Sequence, residues 1–303
     1  MTMGISKKYK QEGLIGIFKA LSRKIPYVSL LWHRHYNGYL KKHYGYVIEK
    51  YNNYVPPKND SPDGLNGVIW TMWYQGEETC PDIVKLCLAA MRKNCGGHKV
   101  ILITKDNFRK YADIPEYVLK KVSAGHISLT HLSDIVRASL LEKHGGLWID
   151  STILTTDKIP EEIFEADYYT IKIKNCSNQW ASFFWGAKYS KRLLASFMRE
   201  IFLEYLKNHE RLFDYLFLDY TIRTAYREIL AFHEECSRVP FNNSNVFKLQ
   251  DCFLNSEWNA EEFSGLCMNQ TFHKLTYKKN FALKTEQGKE TFYGHLLSEY
   301  GIN

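Results

Sequence analysis

From residue 67 onward, short β-rich apolar runs alternate with segments whose apolar residues recur every three to four positions. Neither kind of segment can bury its apolar side alone. Strands joined by crossover helices pair in parallel, and the helices then cover both faces of the sheet. The pattern therefore predicts an α/β fold with an open, mostly parallel sheet. GVIWTMWY (67–74) predicts the first strand. Pro81 opens a helix that sets Ile83, Val84, Cys87, Leu88 and Met91 on one face. KVILIT (99–104) is apolar almost throughout, as suits a strand covered on both sides. A short helix is expected over 115–123 and a longer one over 131–146, HLSDIVRASLLEKHGG. In the longer one, Leu132, Ile135, Val136 and Ser139 share a face, and Gly145 supplies a left-handed stop. LWID is the third strand. Further apolar runs follow at 168–173 and 181–187, and helical patterns cover 190–207 and 211–233. A chain of 303 residues, 45% of them hydrophobic, is enough for one large domain of this class.

The residues before this pattern differ in charge. Residues 1–50 hold ten Lys/Arg against two acids, a balance of +8, while the whole chain carries +7. The basic character therefore belongs to the N-terminus. Leu14, Ile17, Phe18, Leu21 and Ile25 fall on one helical face, with Lys19 and Arg23 opposite. Such a face packs on a parent domain or lies on an anionic membrane surface. VPPKNDSPDGLN (55–66) reads as a loop, which divides a basic helical segment, 1–60, from a main domain, 61–303. No nucleic-acid reading motif accompanies the charge, so nucleic acid is not expected as a partner. The seven cysteines show no CxxC pair and no zinc spacing, and no signal peptide precedes them. Reduced thiols in a cytoplasmic protein are expected.

In open α/β sheets, ligands bind outside the carboxyl ends of the strands. The first strand ends in aromatics, and Trp70 and Trp73 are candidates to stack on a nucleotide base. The third ends at Asp150, followed by Ser151 and Thr152, which are small enough for close ligand approach. A carboxylate at the end of a buried strand is costly unless it meets a cation or hydrogen-bond donors. Asp134 and Arg137 lie three apart on the preceding helix and share its face. A polyhydroxylated ligand would use both kinds of group.

LSDIVRASLLEKHGGLWIDSTI resembles the SDxxR…YGGxYxDxD signature of glycosyltransferases in the capsular polysaccharide synthesis family. That family is related to glycosyltransferase family 32 and, more remotely, to clostridial glucosylating toxins. GVIWTMWYQGEETCPDIVKLCLAAMRKN, FDYLFLDYTI and TFHKLTYK are similar to other segments of the family, in the same order. The resemblance implies a GT-A fold and a nucleotide-sugar donor, usually a uridine diphosphate sugar. It implies that Asp134 and Arg137 hold donor-sugar hydroxyls, and that Asp150 is the first aspartate of the DxD element. Thr152 stands where the second aspartate would be. A hydroxyl binds Mg²⁺ or Mn²⁺ less tightly than a carboxylate, so a divalent cofactor on Asp150, Thr152 and His273 is an open expectation. His273 and Lys274 are the candidates to compensate, at the metal or at the departing diphosphate. Asp219, with Asp214 as alternative, is the candidate for the acceptor or anomeric side, and Gln179 is expected near the same centre.

These readings imply transfer of a sugar to a lipid-linked or oligosaccharide acceptor in surface-polysaccharide synthesis, with retention at the anomeric carbon. The enzyme would work in the cytoplasm, beside the inner face of the plasma membrane. The alternative is a GT-A scaffold that binds nucleotide or glycan without transfer.

Overall fold

The computed structural model of the chain describes residues 26–174, 179–268 and 270–302. The apolar face expected from Leu14 to Ile25 lies outside the described residues.

The central sheet has the order β2-β1-β3-β6-β5, from β1 (Ile69–Met72), β2 (Val100–Ile103), β3 (Gly146–Ile149), β5 (Tyr169–Thr170) and β6 (Phe184–Ala187). β1 pairs in parallel with β2 on one side and with β3 on the other. β6 is antiparallel to both β3 and β5, so it alone runs against the other four. The sheet is thus mostly parallel, as the alternating pattern predicts. β4 (Ile153–Thr155) leaves it and pairs with the antiparallel β7 (Phe272–Lys274) in a small second sheet.

Strand side chains alternate between two apolar layers. Trp70, Met72, Ile101, Ile103, Trp148 and Trp185 face the larger one, which they build with α3 (Phe108–Tyr111), α4 (Glu116–Ser123), α5 (Leu129–His144), α7 (Leu193–Asn208) and α8 (Phe217–Glu228). Ile69, Leu147, Ile149 and Phe184 face the other, which includes Met91 of α2 (Asp82–Lys93) and Ile163 of α6 (Glu162–Glu165). The run at 211–233 is broken by Ile229, whose extended backbone separates α8 from α9 (Leu230–Arg238).

The helix α1 (Pro26–Asn52), kinked at Tyr44, belongs to the larger layer. Trp32, Tyr36 and Leu40 before the kink and Val47 and Tyr51 after it are buried there, at four-residue spacings within each part. Trp32 stacks on Phe213 with ring centroids 5.4 Å apart, and the Tyr36 hydroxyl lies 3.2 Å from Thr221 Oγ1. Two of its lysines are paired within the molecule, Lys41 with Glu228 at 2.8 Å and Lys50 with Glu200 at 2.6 Å. Each large side chain so buried contributes about 1.5–3 kcal/mol. Residues 26–52 therefore share one core with the residues after 60, and the boundary expected there does not separate two cores. The intervening loop is itself anchored, by a 3.0 Å contact between Ser61 Oγ and His144 Nδ1 at the end of α5. No helix among the described residues is long and apolar enough to cross a membrane.

Candidate functional site

The order of the sheet reverses at β1, because β2 lies on one side of it and β3 on the other. Loops leaving β1 and β3 diverge at such a point and open a crevice. Here it is a cleft of about 510 Å³.

The path to it starts in α5. Ser128 caps this helix by accepting a hydrogen bond from His131 N at 3.2 Å. Gly145 and Gly146 end it, with φ of 69° and 85°. A Cβ on Gly146 would lie 2.3 Å from Val68 O, so only glycine lets β3 start this close to β1. The register then pairs Trp70 with Trp148, which brings the ends of both strands to one edge.

Asp150 follows β3 directly. Its Oδ1 accepts from Arg137 Nη2 at 3.1 Å and from Trp148 Nε1 at 2.8 Å, and its Oδ2 accepts from Lys274 Nζ at 2.9 Å. Burial alone would raise its pKa, but Lys274, Arg137 and the indole N–H outweigh it and hold the carboxyl below its usual range. Arg137 is itself buried. It also reaches Asp134 Oδ1 at 3.5 Å, donates to the Ser182 carbonyl, and lies with Cζ 4.6 Å from the centre of the Trp148 ring. Burial pushes the Asp134 carboxyl up to about 7. Arg137 opposes this, while Asp150 and Asp219 add to it.

Ser182 continues the chain of contacts, since its hydroxyl donates to Asp219 Oδ2 at 3.3 Å and Trp180 Nε1 donates to Oδ1 at the same distance. Burial raises the Asp219 pKa despite these donors. Asp134, Arg137, Asp150 and Asp219 thus form one connected network along the cleft wall. Asp214 plays a different part, its Oδ1 accepting from Leu216 N at 2.9 Å just before α8.

On the opposite wall, β7 runs antiparallel to β4 with Ile153 opposite Lys274. Strand alternation turns Lys274 into the cleft, where its ammonium also donates to Thr152 Oγ1 at 2.7 Å. The same alternation turns His273 away. His273 is fully buried, with Nδ1 3.1 Å from Gln270 Nε2 and Nε2 3.8 Å from Cys267 Sγ. Burial lowers its pKa to about 4, so it is neutral. Because His273 is turned away and does not line the cleft, the expectation that it meets a metal or diphosphate there is corrected.

Trp70 is corrected as well. It lies two residues before the end of β1, is fully buried, and donates from Nε1 to Gly145 O at 3.0 Å. Trp73, just past the strand, is half-buried and lines the cleft, edge-on to Tyr277 at 5.2 Å. Ser151 and Thr152 also line it. Gln179 does not, and its carbonyl accepts from Cys236 Sγ at 3.2 Å.

Several cleft residues were not anticipated. Trp148 was legible, because it stands two before Asp150 and so shares its face in a strand. Ser182, Tyr215, Phe247 and Tyr277 reach the cleft from segments remote in sequence. Tyr215, Phe247 and Tyr277 are about half exposed there, and they carry no local signal of their position.

No curated protein is significantly similar in sequence. Similar structures include the bifunctional glycosyltransferase WbbM in its apo form, at 11% identity and a TM-score of 0.42, with 82% of this chain and 51% of that one covered. The PaToxG glycosyltransferase is similar at 13% identity and a TM-score of 0.37, with 78% and 95% covered. The chain spans about half the length of WbbM. The family model of the capsular polysaccharide synthesis protein matches residues 27–296, and the chain belongs to that family.

Proposed function

We propose that the chain is a glycosyltransferase that moves a sugar from a uridine diphosphate donor to a lipid-linked glycan, with retention at the anomeric carbon. The observation that carries this reading is the gathering of Arg137 and Lys274 on Asp150, in an open cleft at the reversal of the sheet order. Trp73 and Tyr277 offer rings for the base, and Lys274 faces the diphosphate. Asp134 and Arg137 address the sugar hydroxyls. Asp219, on the same network, serves the acceptor side.

In the reaction the bond from the anomeric carbon to the diphosphate oxygen breaks, and the diphosphate leaves with the electron pair. The acceptor oxygen bonds to that carbon, and its proton passes to the departing diphosphate. Negative charge grows on the leaving group, where a fixed cation stabilises the transition state most. The basic N-terminal residues would hold the enzyme beside its lipid-linked acceptor on an anionic membrane face.

The test is a panel of nucleotide sugars, with and without lipid-linked acceptors, read as released nucleoside diphosphate. Release from one donor, lost in Asp219→Asn with donor affinity kept, supports the reading. Tight donor binding with no release under any condition would make the chain a binding protein instead.

A further inference from the structure

The resemblance to DxD enzymes implies a divalent cation, but the groups at the motif do not suit one. Mg²⁺ and Mn²⁺ take several oxygen ligands and favour carboxylates. Here both oxygens of Asp150 already accept from donors, two of them cationic. The second motif position offers only the Thr152 hydroxyl, which accepts from the same ammonium as Asp150. Asp134 faces Arg137, and Asp219 faces Trp180 and Ser182. Among the described residues, no three His, Cys, Asp or Glu side chains gather in a group that could hold a metal ion.

What occupies the bridging point between the two motif side chains is Lys274 Nζ, at 2.9 Å from Asp150 Oδ2 and 2.7 Å from Thr152 Oγ1. Its position is set by the backbone. Ile153 pairs with Lys274 across the small sheet, and Leu275 N donates to Thr152 O at 2.8 Å. Phe183 forms a wall beside the ammonium, with the ring centre 5.0 Å away. An ammonium has three N–H donors. Two are engaged here, which leaves one to face a ligand in the cleft. The Arg137 fork, by contrast, is turned to Asp150, Asp134 and Ser182.

We propose that Lys274 is the built-in counter-charge for the diphosphate of the donor, in place of a divalent ion. Donor binding then needs no metal. The inference rests on the glycosyltransferase reading, because only that reading brings a diphosphate to this point. It also accounts for Thr152. Asp150 already offsets one of the two positive charges of Arg137 and Lys274, and a second carboxylate at 152 would offset the other, whereas a hydroxyl orients the ammonium and leaves one net positive charge for the ligand.

The test is titration calorimetry of the full chain with UDP, GDP, CDP and ADP, in EDTA and in Mn²⁺. At least one diphosphate should bind in EDTA, with affinity within about threefold of that in Mn²⁺. Lys274→Met should weaken it at least tenfold, and Lys274→Arg should keep most of it. Lys274→Met leaves Asp150 its bonds to Arg137 and Trp148, and an unchanged Tm would show that the fold survives. The double variant Thr152→Asp with Lys274→Met places a second carboxylate beside an apolar chain, and its binding should become Mn²⁺-dependent. Binding by the wild type only in Mn²⁺, or full affinity in Lys274→Met, would overturn the inference and leave the glycosyltransferase reading standing. No binding by any diphosphate in either condition would remove that reading, and this inference with it.

Discussion

Asp150→Asn tests whether one carboxylate organises both walls of the cleft. The amide keeps the shape and loses the charge. Its oxygen can accept from one side, but its NH₂ must then face a donor on the other, either the Lys274 ammonium or the Arg137 and Trp148 N–H groups. Removing one partner of a buried ion pair costs about 3–5 kcal/mol. Two features of the site reduce that figure. Arg137 retains Asp134 and the Ser182 carbonyl, and the Asp150 and Lys274 side chains are 26% and 21% exposed, so solvent screens that arm. The expected loss is about 2–4 kcal/mol, which for a chain this long lowers Tm by about 3–6 °C. The loss also depends on pH. The Asp150 pKa is lowered in the fold, so its stabilisation is present above the unfolded-state pKa of about 4 and disappears as pH falls through the lower folded value. Thermal melts followed by circular dichroism should therefore show the full gap at neutral pH and a shrinking gap in acid. A Tm at pH 7 within about 1 °C of the wild type would refute the reasoning, because Arg137 and Lys274 would then not depend on this carboxylate.

Arg137→Lys should impair transfer nearly as much as Arg137→Ala, at least about tenfold, because one ammonium cannot span Asp150, Asp134 and the Ser182 carbonyl while stacked on Trp148; steady-state rates on the identified donor check this. Trp70→Phe should lower stability by about 1 kcal/mol through its lost bond to Gly145 and leave donor affinity unchanged, whereas Trp73→Ala should weaken donor binding with little change in Tm. Asp134→Asn should flatten the dependence of Tm on pH. The Asp134 pKa is raised to about 7, so the wild type loses stability as pH rises from the unfolded pKa of about 4 through that value, and parallel curves for the two proteins would contradict this. Replacing Lys7, Lys8, Lys10, Lys19, Arg23 and Lys24 by Gln should release the protein from anionic vesicles at low salt, in a sedimentation assay.

Local chemistry made several features legible from sequence alone. The alternation of apolar runs predicted parallel strands, since periodicity reports which side of an element meets a core. The helix containing Asp134 and Arg137, the two glycines and the strand ending at Asp150 are contiguous, so their relation follows from helix and strand geometry within some twenty residues. The choice between Trp70 and Trp73 was not local, because both sit in one apolar run. Only pairing with β2 and β3 decides where β1 ends, and hence which ring reaches the cleft. His273 and Lys274 raise the same difficulty. Adjacent strand residues point opposite ways, and the register of β7 against β4 selects the lysine. The N-terminal charge suggested a separate segment, yet α1 is buried against α7 and α8, whose apolar partners lie about 150 to 180 residues further on. Sequence spacing thus determined the elements and one wall of the cleft. The opposite wall, with Lys274 bridging Asp150 and Thr152, depends on which strands hydrogen-bond and in what register, and that is decided by the packing of the whole chain.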